Sequence, residues 1–407
     1  MSVDHEPMTI GPDFFQHTHT VLKGLREDSP VRRVRFSDGE SCWVITRYED
    51  VQALQSDPRI SHDLDRLWRA ERATSTDQGE DGADPYEGLG WIYRNVLYLD
   101  PPDHTRLRKL VNKSFTTPAV DRLEPRIASY ADELLAKLGG DEPVDLMAAF
   151  ALPLPVFAIS EVLGIPEEDR PDFWGWSNVL NGVSPDADVV AALRAAADYL
   201  GGLAARKEAN PGPDLLSQMV QARADGDRLS RQELISMALL MLLAGHDTTV
   251  SLITNGTLAF LEHPDQLALM RRDPSLLANA IEEILRYDGP VNLSPETVTT
   301  EPIELSGIRI PAGEIVRVSR AAANRDPRQF ADPDRFDITR DTRGHAGFGY
   351  GIHYCLGAPL ARMEGRVALG KLFTRFQGLR LATESAQLTY RMSTLFHGLE
   401  SLPVYLS

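Results

Sequence analysis

Apolar residues occupy nearly every position from Leu234 to Leu243, so the helix that this run forms has no polar stripe and is expected to be buried on all sides. It opens on Ser230-Arg231-Gln232-Glu233, a capping-box pattern, and keeps helical character to about His263, a length that would cross the whole molecule. Upstream, helical periodicity dominates from Ile127 to Lys207, broken at Pro153, Pro155, Pro166 and an Asn181-Gly182-Val183-Ser184-Pro185 turn. Downstream, a further helical run starts at Pro359. Strand signals are short: residues 31–36 and 42–46 alternate around Ser37-Asp38-Gly39, a hairpin signal, and residues 303–318 give brief strands around Pro311-Ala312-Gly313. Residues 61–90 turn acidic and glycine-rich, which predicts a long mobile loop of the kind that serves as a lid. The pattern as a whole predicts a mostly α fold with a small β region about residues 30–47.

Composition narrows the function classes. Of 407 residues, 43% are hydrophobic and 25% charged, the proportions of a soluble globular protein able to bury a sizeable core. Asp and Glu number 59 against 42 Lys and Arg, and the net charge of −17 argues against nucleic acid or an anionic membrane as the main partner. Two cysteines, Cys42 and Cys355, make no disulfide framework and fit a reducing compartment. The first ten residues lack the basic start and apolar run of a signal peptide, and no window reaches about 18 uninterrupted apolar residues, so a cytoplasmic protein without a membrane span is expected.

Two stretches carry candidate chemistry. Inside the apolar helix stand Ala244-Gly245-His246-Asp247-Thr248-Thr249: a glycine that costs about 1 kcal/mol relative to alanine, an acid that is expensive to bury, and a threonine whose hydroxyl can bond the carbonyl four residues back and open the helix. Poor packing choices in succession point to chemistry there. His246 lies about 200° round the helix from Thr248 and reads as a satisfied buried histidine. The second stretch is Phe348-Gly349-Tyr350-Gly351-Ile352-His353-Tyr354-Cys355-Leu356-Gly357-Ala358, in which glycines let backbone amides crowd a sulfur just before a helix N-terminus. That setting favours thiolate, which serves either as a nucleophile or as a metal ligand; His353, two residues away, is a poor base for the first role. Cys42, in a strand pattern, reads as a packing residue.

The spacing Phe-x-x-Gly-x-His-x-Cys-x-Gly resembles the haem-binding loop of the cytochrome P450 family, the haem-thiolate monooxygenases. The resemblance implies one domain over residues 1–407, with haem b (heme b) held between the long helix and the helix after Cys355. Cys355 is then the axial iron ligand, Phe348 packs beside the sulfur, Gly357 is a further cofactor-binding residue, and His353 reaches a haem propionate. Asp100-Pro101-Pro102-Asp103-His104 with Arg108 matches another family pattern, which implies that His104 and Arg108, at i and i+4, also meet propionates. Arg106, Lys109 and Lys113 extend that charge and are offered as a docking patch for an acidic ferredoxin.

Ala244 to Thr249 resembles the family's oxygen-binding motif, so Ala244 lies against the cofactor, Thr248 hydrogen-bonds O2 and Asp247 relays protons. Leu240, Ala244, Val291, Leu293, Leu395 and Phe396 are the implied substrate contacts. Glu283 and Arg286, with Arg335 from a later loop, form the implied structural triad. One departure stands out: many relatives carry an arginine for the propionates where this chain has Thr297. The implied activity is hydroxylation or epoxidation of a mid-sized organic molecule from secondary metabolism, with electrons from a ferredoxin and an NAD(P)H-dependent ferredoxin reductase. Oxidative C–C or C–N coupling on the same haem is the alternative, and a haem-thiolate sensor the third reading; a sensor needs no proton relay.

Overall fold

A computed structural model describes residues 6–37, 39–64, 66–67, 88–112, 115–180, 188–222 and 226–407. The turn residue Asp38, most of the predicted loop (68–87), Lys113 of the predicted docking patch and the 181–185 turn lie outside the described residues.

The apolar run forms the helix Arg231–Gly245, and its start is the predicted capping box: the Glu233 amide donates to Ser230 Oγ at 3.2 Å while the Ser230 amide donates to the Glu233 carboxylate at 2.8 Å. The chain does not continue as one uninterrupted rod to residue 263. At His246 (φ −109°, ψ −43°) the helix breaks, and a second segment runs Asp247–Glu262. Across the break side-chain hydroxyls answer backbone carbonyls, Thr248 Oγ1 donating to Ala244 O at 3.1 Å and Thr249 Oγ1 to Gly245 O at 3.4 Å. Gly245 permits a close approach at this point: a Cβ there would lie 2.4 Å from Ile159 Cδ1, on the buried helix Pro153–Leu163.

By length and composition Arg231–Glu262 would cross a membrane, yet 72% of its most apolar window is buried inside the fold, which is what a core helix shows. Its second segment packs on Leu277–Tyr287 and Ala358–Arg375, and these helices with Pro153–Leu163 and Val189–Ala209 build the main core. The buried threonines of that segment return their hydroxyls to the helix itself, Thr254 to Val250 O and Thr257 to Ile253 O.

The β region is a six-stranded sheet in the order Met8–Ile10, Val31–Phe36, Ser41–Ile45, Ile315–Val318, Thr297–Thr299, Ile60–Ser61. The predicted hairpin is its Val31–Phe36 and Ser41–Ile45 pair, antiparallel with Val34 opposite Cys42. Cys42 is buried in the small core beneath this sheet, beside Phe14 and Phe36. Ile303–Leu305 and Ile308–Ile310 form a separate two-stranded hairpin, and Arg380–Leu381, Pro403–Tyr405 and Val144–Asp145 a third sheet. The larger sheet matters to the site because its central strand, Ile315–Val318, delivers Arg320 toward the cysteine loop.

Candidate active site

Around Cys355 the chain folds as the glycine pattern requires. Gly349 and Gly351 hold φ of +73° and +69°, a region other residues enter at a cost, and the loop closes when the Cys355 amide donates to Phe348 O at 2.9 Å. Phe348 is buried with the Arg362 guanidinium 4.5 Å from its ring centre. The helix Ala358–Arg375 starts immediately after, with proline in its first turn. Burial pushes the Cys355 thiol up, and the Gly357 amide together with the Arg320, Arg108 and Arg362 guanidiniums pulls it back toward thiolate. One sulfur ringed by amide and guanidinium charge suits a ligand to a metal that brings its own positive charge.

Beside the sulfur lies a pocket of basic side chains. His353 stacks on His62 with ring centres 3.6 Å apart, and His104 lies 4.3 Å from His353. His353 Nδ1 is bonded to Val96 O at 3.1 Å. Among the described residues, both ring nitrogens of His104, Nε2 of His353 and Nε of Arg320 are buried without a hydrogen-bond partner. Burial, with His104 and Arg320 near His62 and with His62 and His104 near His353, lowers His62 to about 4 and His353 to about 3. Arg108 is half-buried and donates to Tyr354 O at 2.6 Å.

The structure therefore brings together His104, Arg108 and His353, which the sequence singled out, and adds His62 and Arg320, which it did not. Buried ring and guanidinium nitrogens without partners next to a thiol fit a prosthetic group that carries carboxylates at one edge and a metal at its centre. Thr297 borders this pocket but keeps its hydroxyl in its own sheet, donated to Val316 O at 2.9 Å.

On the broken helix, Ala244 is exposed although Met241, Leu242, His246 and Asp247 are buried, and Leu240 and Thr248, one turn to either side, are half-buried. Exposure that peaks at Ala244 and runs along an i, i+4, i+8 stripe of a core helix, with Leu243 and Gly245 beside it half-buried, means that this face borders an internal space. Asp247 sits in the break, its two oxygens each 2.8 Å from Arg391 Nη2. The side chains of this pair are 9% and 29% exposed, which places it between the interior and solvent. Arg391 was not read from the sequence, since nothing local marks a residue 144 positions from its partner. His246 is satisfied: its Nδ1 lies 2.9 Å from Leu242 O and Ser177 Oγ approaches the same ring.

The C-terminal hairpin is present, with Tyr390 opposite Leu399 and Phe396 opposite Val291, and the Asn292 amide donates to Leu395 O at 2.9 Å. Leu395, Phe396 and Val291 are half-buried at its tip, whereas Leu293 is wholly buried in the core beneath the large sheet and is a packing residue.

Two further expectations change. Glu283 and Arg286 are both 0% exposed and bound in a fork, Nε to Oε2 at 2.7 Å and Nη2 to Oε1 at 2.8 Å, but the third arginine is Arg340. Arg340 Nε lies 3.3 Å from Glu283 Oε1, while the Arg335 side chain is 65% exposed and only its carbonyl faces the cluster. The loop turns at Asp332 (φ +46°) and carries Arg335 outward. Arg106, offered to a partner protein, is instead ion-paired within the chain to Asp227 and Glu233, and Lys109 also has an interaction partner within the chain.

Residues 202–393 match the family model described as "Cytochrome P450". The chain is 49% identical to the vitamin D(3) 25-hydroxylase of Pseudonocardia autotrophica over 96% of this chain and 94% of that protein. It is 44% identical to the 6-deoxyerythronolide B hydroxylase of Saccharopolyspora erythraea, over 98% and 100% respectively. Its fold superposes on the ligand-free P450 monooxygenase TamI with a TM-score of 0.90 at 42% identity, covering 99% of this chain and 95% of that one. The chain belongs to the cytochrome P450 family. Cytochromes P450 are haem-thiolate monooxygenases, so this P450 is an O2-dependent oxidoreductase with haem b as cofactor, and it requires a source of electrons. The helical architecture with its minor sheets is the P450 fold.

Proposed function

We propose that this P450 hydroxylates or epoxidises an apolar, mid-sized secondary metabolite in the cytoplasm, with Cys355 as the axial thiolate and a ferredoxin and NAD(P)H-dependent reductase as the electron source. The pocket of His104, Arg108 and His353 holds the haem carboxylates; Phe348 and Gly357 shield and hydrogen-bond the sulfur. Bound there, haem supplies the redox chemistry by which one atom of O2 enters the product and the other leaves as water.

The observation that carries this reading is the open stripe of Leu240, Ala244 and Thr248 on a buried helix, with a carboxylate set in the break beside it. Leu240 and Ala244, with Val291, Leu395 and Phe396 at the hairpin, give an apolar wall that excludes water and orients a greasy substrate. Thr248 Oγ1, donated to Ala244 O at rest, is the hydroxyl at the wall, and Asp247 stands next to it with access toward solvent through Arg391. Two protons are consumed per O2 cleaved, and this is the polar path into an otherwise apolar space. Two relatives within the same similarity are named for hydroxylating vitamin D(3) and 6-deoxyerythronolide B, which supports hydroxylation of molecules of that kind.

The test is a panel of macrolides, terpenoids and cyclic peptides scored first by the haem spectral shift on binding, then by product mass with a ferredoxin system. Gain of an oxygen atom supports monooxygenation; loss of hydrogen alone shows coupling instead. Unchanged product yield per electron in Asp247→Asn and Thr248→Ala would overturn the proton path.

A further inference from the structure

Arg320 brings a positive charge over the cysteine loop, and among the described residues no carboxylate answers it. It follows the strand Ile315–Val318 and opens the short helix Arg320–Asn324. Its Nε is buried without a partner, and among the described residues no carboxylate pairs with its guanidinium. The guanidinium lies over the cysteine loop, since a Cβ on Gly349 would be 3.0 Å from its Nη2. It lines one cavity with His62, His353 and Thr297.

A buried cation is stable only when an anion meets it. Among the described residues His353 Nε2 and both nitrogens of His104 also lack partners, which fits a bound group that offers several oxygens. Position 297 belongs to the adjacent strand, with Thr297 paired to Val316, and borders the same cavity. A guanidinium arriving from position 320 therefore reaches the space that an arginine at 297 would have filled.

We propose that Arg320 is the haem-propionate clamp of this chain, relocated from position 297 to the start of the helix that follows the neighbouring strand. The inference rests on haem occupying the space over Cys355. The planar fork of arginine can hold a carboxylate through two parallel N–H bonds, which neither threonine nor lysine reproduces.

The experiment measures transfer of haem from the loaded enzyme to excess apomyoglobin. Arg320→Leu is expected to release haem about 10- to 100-fold faster, the factor that one charge-assisted hydrogen bond is worth. The double variant Arg320→Leu, Thr297→Arg is expected to return most of the way to the wild-type rate. Reconstitution with iron protoporphyrin dimethyl ester, which has no carboxylates, removes the difference between wild type and Arg320→Leu. Arg320→Lys, a milder change that preserves charge, is expected to fall between the two and serves if the leucine variant does not accumulate. Wild-type haem retention in the leucine or lysine variant overturns the assignment, as does equal acceleration for haem and its diester, which marks a packing defect. A chain that binds no haem at all defeats the cofactor reading itself, a distinct outcome.

Discussion

Truncating Arg340 to alanine removes a guanidinium whose side chain is 12% exposed and which touches four acceptors: Glu283 Oε1 at 3.3 Å, Asp332 O at 2.9 Å, Arg335 O at 3.1 Å, and Ala331 O. Glu283 keeps its fork with Arg286 and the Asp337 amide at 2.9 Å, so no bare charge is left in the core. The loss is one charge-assisted bond to a carboxylate and three to carbonyls, some of which water can replace; the expected cost is about 2–4 kcal/mol. That is a large share of the roughly 5–15 kcal/mol by which domains are stable. Arg335→Ala, by contrast, removes an exposed side chain 3.8 Å from Asp337 and is expected to stay within about 0.5 kcal/mol of wild type. The damage should reach the cofactor. Arg286 also donates to Asn324 O at 2.9 Å, and Asn324 Oδ1 accepts from the Ala346 amide at the entrance to the cysteine loop. The assay is urea unfolding of the haem-loaded protein, followed by helical circular dichroism and by the haem absorption band, with both variants against wild type. The reasoning is refuted if Arg335→Ala lowers the midpoint as far as Arg340→Ala, or if Arg340→Ala leaves it unmoved.

Three more outcomes are expected. Asp247→Asn should slow product formation by about 10²- to 10⁴-fold and raise its solvent deuterium isotope effect while leaving haem content unchanged; an unaltered isotope effect would remove Asp247 from the proton path. Carbon monoxide added to the reduced wild-type enzyme should give the red-shifted band of thiolate ligation, and Cys355→His should lose that band while keeping haem; a band that persists would mean another ligand. Glu282 accepts from Arg362 at 2.7 and 2.8 Å and from His345 at 3.0 Å, and although burial alone pushes its carboxyl up, these partners hold it near 2, below the ordinary 4.5. Because the folded value is the lower one, its contribution of about 3 kcal/mol is present above pH 4.5 and is lost as pH falls toward 2. Glu282→Gln should therefore be less stable than wild type at pH 6, and the two should converge near pH 2; a gap that widens on acidification contradicts this sign.

How much was legible in advance varies with the range of the interaction. The capping box at Ser230, the hairpin between Val31 and Ile45, the buried apolar helix and the glycine-bounded cysteine loop are each set by residues within a few positions of one another, and each stands where the pattern placed it. The break at His246 was legible only in part: a hydroxyl able to bond the carbonyl of Ala244 was visible, but not that Ile159 would press against Gly245 and that the helix would be interrupted there. Leu293 illustrates the opposite error, since an apolar residue beside Val291 is equally suited to a pocket wall and to a core, and only the sheet packed over it assigns it to the core.

By itself the sequence determined the elements and the conformation of the cysteine loop, because helix capping, left-handed glycine turns and hydrophobic periodicity act between near neighbours along the chain. Which arginine answers which acid was decided by the tertiary structure. Asp247 meets Arg391, Glu283 meets Arg340 rather than Arg335, Arg106 turns inward to Asp227 and Glu233, and Arg320, over the cysteine loop, has no acid partner among the described residues. A guanidinium on a flexible stem has many partners in reach of the unfolded chain, and the one it keeps is whichever carboxylate the packed backbone leaves beside it where water cannot compete.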